Sequence, residues 1–209
     1  MNRHFAMAVR IVHGCIARRR AEAIVTSANA HLAGEANPMH WQFAGRSSAD
    51  GAIRAAAGPT LADAVQRISG LPLAPCAAVV TCAGALAADL VVHVLAPDRF
   101  YGARSASDDG SPARLLRACY ASAVVAAEAA GARSIAMPAI GCGVRGWPLS
   151  LSAKCALEAF EGHIQEPANG LRHFEVVLLE SSAHRVWAST LSVTAAATQN
   201  LAIIVDHAG

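Results

Sequence analysis

Six short apolar runs, Met7–Val12, Ala23–Thr26, Ala77–Thr81, Leu90–Leu95, Ser134–Met137 and Phe174–Leu179, are rich in Val and Ile and bounded by turn or polar residues. That is the pattern of strands buried on both faces. Between them lie stretches with helical spacing. The clearest opens on Ser111-Pro112, an N-cap and first-turn pair, and stops at Gly131. Leu115, Leu116, Cys119, Ala123, Ala126, Ala127 and Ala130 form its apolar stripe. A shorter helix is expected from Asp50 to Ala57, with Gly58 as C-cap and Pro59 as breaker, and others fit Leu149–Phe160 and Ala183–Leu191. The alternation predicts an α/β sandwich of three layers, α/β/α, around a mixed sheet of about six strands. Residues 1–192 form the expected domain, and 193–209 are an extension in which Leu201–Val205 reads as an extra edge strand.

Composition narrows the function. Of 209 residues, 54% are apolar and 15% charged, which excludes a disordered chain. Seventeen basic residues against 15 acidic ones give a formal charge of +2, too balanced for a domain that binds nucleic acid by neutralising phosphates. The single basic run, Arg18-Arg19-Arg20, reads as a solvated turn between two strands. No segment has the uninterrupted apolar length of a membrane span, and the expected location is cytoplasmic. Six cysteines without a CxxC pair read as reduced thiols. Cys15, His31 and His40 lack metal-ligand spacing, so neither a metal nor a cofactor is expected. The scarcity of lysine (Lys154 alone) beside abundant Ala and Arg fits a GC-rich, bacterial coding genome.

Three segments carry candidate chemistry. Ser134–Ile140 runs into Gly141-Cys-Gly-Val-Arg-Gly146, a glycine-rich turn whose backbone amides can approach and point at a diphosphate. The alternative is a tight turn needing glycine for its conformation. A dinucleotide-binding fingerprint fits poorly, because Trp147-Pro148 delays the helix and Glu158 and Glu161, near the expected spacing, fall within that helix rather than after a second strand. Ile24–Asn29 is a strand ending in an amide, either a ligand contact or an Asx-turn. Asp50 heads a helix, as N-cap, as a favourable charge at the helix dipole, or as a proton acceptor.

Together these segments resemble the macro domain family, modules that bind ADP-ribose and include ADP-ribosyl-protein and O-acetyl-ADP-ribose hydrolases. The resemblance rests on Gly14-Cys-Ile16, Ala23–Asn29, Asp50–Gly58, Thr81–Leu86 leading to Val91–Pro97, and Ala136–Pro148, in the family's order over about residues 7 to 190. It implies that Asn29 contacts the distal ribose and that Asp50 orients or activates a water for attack at C1″ or at an ester on that ribose. It also implies that Gly141, Cys142, Gly143, Val144, Arg145 and Gly146 hold the diphosphate, and that Cys15, Ile16 and Ala28 line the site. The implied partner is ADP-ribose or an ADP-ribosylated substrate, without a metal.

Three departures bear on that expectation. Cys15 stands where the family usually has an Asp that accepts from the adenine amino group, Thr26 replaces the first Asn of a pair, and His31–Ala49 replaces a run of glycines. Trp41, Phe43 and Arg46 in this insert suit a lid that stacks on a base and reaches a phosphate, or a separate surface cluster. His93 and Cys142 raise a Cys-His nucleophile, against which His93 reads as a core histidine. The first expectation is therefore an ADP-ribose-binding hydrolase. A non-catalytic reader of ADP-ribose or a related nucleotide is the second, and a binder of single-stranded RNA or poly(ADP-ribose) the third.

Overall fold

The computed structural model describes residues 7–34, 48–99, 112–165, 170–195 and 201–206. Its strands are β1 (Met7–His13), β2 (Ala23–Ser27), β3 (Ala78–Cys82), β4 (Leu90–Val94), β5 (Ser134–Met137), β6 (His173–Leu178) and β7 (Leu201–Asp206). Its helices are α1 (Ala49–Ala57), α2 (Pro59–Gln66), α3 (Pro112–Ala129), α4 (Leu149–Ile164) and α5 (Ser181–Ala195), with a 3-10 turn at Ile16–Arg18. The six apolar runs are strands, shifted by a residue at some ends, and Leu201–Asp206 adds a seventh. The seven form one sheet in the order β3-β4-β2-β5-β6-β1-β7. Every pairing is parallel except that of β3 with β4. Helix α5 crosses the expected boundary at residue 192, and β7 lies in register on β1, with Met7 opposite Leu201.

Alternation along the strands splits the core into two layers. Val9, Ile11, Ala23, Val25, Val92, Val94, Ile135 and Met137 face α3, α4 and α5, whose Leu116, Tyr120, Phe160 and Trp187 are almost wholly buried. Ile24, Val91, Ala136 and Val177 face the other way, with Ile53, Ala57, Leu61 and Val65 of α1 and α2 on that side. Parallel strands need crossover connections, and these helices supply them while covering the sheet.

Two local expectations are corrected. Helix α1 begins one residue early, because Ser48 and not Asp50 is the N-cap; its hydroxyl accepts from the Gly51 amide at 2.9 Å. Pro59 does not simply break the chain but opens α2 at its first position, where the missing N–H would be unpaired in any case. In the arginine run, Arg19 forms a two-pronged ion pair with Glu175 at 2.9 and 3.0 Å, while Arg18 and Arg20 are exposed between β1 and β2. No helix among the described residues is long and apolar enough to cross a membrane.

On the α1/α2 side the apolar layer is interrupted by His93 of β4, fully buried between Thr26 of β2 and β3. Its Nε2 lies 2.9 Å from the Thr81 hydroxyl, and its Nδ1 has no hydrogen-bond partner among the described residues. Burial, then the charge of Arg54, push its pKa down to about 4, against the opposing pull of Asp50. The ring is therefore neutral at pH 7, a core histidine. Unfolded, it takes up a proton near pH 6.5, so between that value and about 4 the unfolded chain holds more protons and stability falls as pH falls. Urea unfolding should show the native protein losing about 2 kcal/mol more than His93→Gln between pH 7.5 and 5.0. Equal pH dependence of the two proteins would contradict this assignment.

Candidate functional site

Strands β2 and β5 are neighbours, yet the chain leaves β2 for α1 on one face of the sheet and β5 for α4 on the other. Such divergence opens a crevice beyond the carboxyl ends of the two strands, where open α/β sheets bind ligands. Ala28 and Asn29 follow β2 at this end, and Gly141–Gly146 follow β5. Cys15 and Ile16 follow the parallel β1, two strands away from β5. Topology thus brings all three predicted segments to one end of the sheet.

After β2 the chain is held by local hydrogen bonds. The Ala28 amide donates to the Val94 carbonyl at 2.9 Å, extending the sheet. Asn29 Oδ1 accepts from the amides of His31 and Ala33 at 3.2 and 3.0 Å, and its Nδ2 donates to the Gly34 carbonyl at 2.8 Å. The Asx-type reading is thus realised, with one Nδ2 hydrogen uncommitted among the described residues. A ligand oxygen is the partner that hydrogen can take.

Freed from capping by Ser48, Asp50 sits in the first turn of α1, nearly buried, where the helix dipole favours its negative charge. The Thr26 hydroxyl donates to Oδ1 at 2.8 Å and Arg54 Nε donates to Oδ2 at 2.8 Å. Among the described residues each oxygen accepts one such side-chain bond, so the carboxylate is fixed in orientation and has lone pairs with which to accept from a water or a sugar hydroxyl. Arg54 also donates through Nη2 to the Leu32 carbonyl at 2.8 Å.

The glycine-rich loop is anchored at its root by a buried relay. The Ile140 amide donates to the Tyr120 hydroxyl at 2.8 Å, and the Ser152 hydroxyl donates to the Ile140 carbonyl at 3.1 Å. Because the serine's one hydrogen is used there, Tyr120 is the donor in its 2.6 Å bond to Ser152. Both backbone groups of the residue before Gly141 are thereby satisfied from α3 and α4. Trp147 donates from its indole to the Pro97 carbonyl at 2.7 Å and packs on Gly141, where a Cβ would lie 2.6 Å from its ring.

Within the loop, the Cys142 amide is spent on Ala139 at 3.2 Å and the Gly146 amide on Gly143 at 3.0 Å. The amides of Gly143, Val144 and Arg145 donate to no acceptor among the described residues. Arg145 extends to 3.9 Å from Asp98, and its carbonyl accepts from the Arg99 amide at 3.2 Å. Burial pushes the Cys142 thiol up to about 11, and Cys142 packs on the α3, α4 and α5 layer while His93 lies on the α1/α2 side of the sheet, so the two do not form a Cys-His pair.

Cys15 caps the 3-10 turn without a side-chain hydrogen bond, and Ile16 is buried beneath it. Among the described residues no group of three or more His, Cys, Asp or Glu converges to hold a metal ion. Trp41, Phe43, Arg46 and His40 lie outside the described residues. Sequence reasoning missed Arg54, Tyr120 and Ser152. Arg54 had a signal in its spacing of four from Asp50 on one helix; the Tyr120 and Ser152 relay had none, since it joins separate helices.

The family model of the Macro domain matches residues 25–156. A macro domain-containing protein of Streptomyces coelicolor is 32% identical over 189 residues, 88% of this chain and 98% of its own length. An O-acetyl-ADP-ribose deacetylase of Salmonella gallinarum is 35% identical over 159 residues, 75% of this chain and 79% of its own. Among solved structures, the Oceanobacillus iheyensis macrodomain with ADP superposes with a TM-score of 0.73 at 27% identity, covering 88% of this chain and 90% of that one. With the expected motifs assembled at the carboxyl end of a mixed seven-stranded sheet, the chain belongs to the Macro domain family.

Proposed function

We propose that the protein binds ADP-ribose, or a closely related nucleotide diphosphate-ribose, in the crevice between β2 and β5, and hydrolyses an ester or glycosidic linkage on the distal ribose. The observation that carries this reading is the pairing, at one end of the sheet, of an oriented carboxylate with a loop of uncommitted amides. The amides of Gly143, Val144 and Arg145 suit a diphosphate, since they offset its charge without a cluster of basic side chains. The remaining Nδ2 hydrogen of Asn29 suits a ribose oxygen.

In the hydrolytic step Asp50 accepts a hydrogen bond from the attacking water and aligns its lone pair with the reacting carbon. For an acetyl ester, water adds to the carbonyl carbon as Asp50 takes its proton, the ester C–O bond breaks, the proton passes to the departing ribose oxygen, and acetate and ADP-ribose leave. The similarity to curated deacetylases, 35% identical over three quarters of this chain in the Salmonella gallinarum case, favours this ester as the first substrate to try. The alternative, a non-catalytic reader, is favoured by the largely self-satisfied Asn29 amide.

Calorimetric titration should show ADP-ribose binding more tightly than AMP, and diphosphate-riboses carrying guanine or a pyrimidine test whether Cys15 has relaxed base choice. Asp50→Asn should retain that affinity within about threefold while lowering kcat for acetate release from O-acetyl-ADP-ribose roughly a hundredfold or more. Equal release by native and variant protein from both this ester and a mono-ADP-ribosylated protein would leave the reader. A second variant tests the loop. A Cβ at Gly143 meets nothing within 4 Å, so Gly143→Ala should change stability by no more than about 0.5 kcal/mol. It should nevertheless weaken ADP-ribose binding about tenfold, which unchanged affinity would refute.

A further inference from the structure

Asn29 and Asp50 stand 21 positions apart, on different elements, and no hydrogen bond joins them directly. One side chain nonetheless links both. Arg54 donates from Nε to Asp50 Oδ2 and from Nη2 to the Leu32 carbonyl, each at 2.8 Å. Its guanidinium stem also lies on Gly34, where a Cβ would fall 3.0 Å from Nε and 3.1 Å from Cδ. The Gly34 carbonyl is the acceptor for Asn29 Nδ2. Arg54 therefore grips the turn that Asn29 closes and the carboxylate of its own helix at the same time.

We propose that Arg54 is a positioning residue that sets the Asn29 turn and the Asp50 carboxylate at a fixed separation, so that a sugar hydroxyl and the attacking water are held together. The inference rests on the preceding reading of Asn29 and Asp50 as ligand-facing. Two features of the turn fit this role. Leu32 is a buried non-glycine residue at φ +53, so its carbonyl is aimed by a conformation that the surroundings must hold. Gly34, at φ +67, offers a surface without a Cβ on which a flat guanidinium can lie. The two Arg54 bonds leave through different nitrogens of one rigid plane, so moving the Leu32 carbonyl moves the Asp50 partner too. A lysine donates from a single nitrogen and cannot hold the two acceptors at the separation set by Nε and Nη2.

It follows that Gly34→Ala, which removes no group that touches Asp50, should imitate Arg54→Gln. In hydrolysis of O-acetyl-ADP-ribose each single variant should lower kcat by thirtyfold or more while KM changes less than threefold. The double variant should be no worse than the poorer single one. Arg54→Lys should recover less than a tenth of the lost rate. A second readout needs no substrate: hydrogen exchange at the amides of His31 and Ala33, which Asn29 Oδ1 holds, should accelerate at least tenfold in Arg54→Gln and Arg54→Lys relative to the native protein. Circular dichroism confirms which variants fold, and Arg54→Lys carries the test if Arg54→Gln does not. Native-like exchange at both amides, or kinetic effects that multiply in the double variant, would overturn the positioning role. A native protein that binds no ADP-ribose and hydrolyses none of its esters would overturn the proposed function instead, and exchange alone would then decide whether Arg54 couples the turn to the helix.

Discussion

The site depends first on two adjacent parallel strands whose chains depart to opposite faces of the sheet. Because β2 leads to α1 and β5 leads to α4 on opposite faces, neither of these two helices covers the space directly beyond the carboxyl ends of the strands. The backbone there is neither in the sheet ladder nor covered, so its polar groups must find turns, side chains or a ligand. Asn29 satisfies the turn after β2, and Tyr120 with Ser152 satisfies Ile140 at the root of the loop after β5. Among the described residues, the amides of Gly143, Val144 and Arg145 at the tip of the glycine-rich loop remain without an acceptor. A site of this kind presents amide dipoles in place of basic side chains, which is why a nearly neutral protein is suited to a doubly charged ligand.

The second constraint is the polar network under α1. A carboxylate this deeply buried needs partners, and Thr26 and Arg54 supply one for each oxygen. Arg54 remains partly accessible, which reduces the desolvation that a fully buried pair would suffer. His93, neutral and on the same side of the sheet, adds no charge of its own. Replacing an asparagine by Thr26 in this setting is therefore more than a small change at a strand end, since its hydroxyl is a direct support of Asp50.

Much of this architecture was legible because buried parallel strands are continuous β-branched runs, visible without knowledge of their partners. Errors fell where a residue's role depends on its neighbours. Pro59 punctuates one helix and opens the next, and only the backbone at Gly58 distinguishes the two roles. Asp50 was a plausible cap until Ser48 took the position. Arg54 was visible as a helical ion-pair partner, but such pairs are usually solvated, and its grip on Leu32 involves a turn 22 residues away. Which N–H groups the glycine-rich turn consumes, here those of Cys142 and Gly146, is a matter of backbone geometry that glycine spacing does not encode.

The position of β1 has a consequence for how the chain acquires its structure. Its two neighbours are β6 and β7, and it pairs Ala8 with His173 on one side and with Ala202 on the other. During synthesis β1 precedes both its partners, and four strands, β2 to β5, are made before either of its edges can be covered. Its Val9 and Ile11 side chains and both rows of backbone polar groups stay available to competing contacts throughout that interval. The β2, β3 and β4 unit with α1 and α2, by contrast, closes over a short stretch of chain and is suited to form early. The carboxyl end of the sheet straddles these two regimes, with Asp50 carried by the first unit and Cys15 fixed only when the last strands arrive.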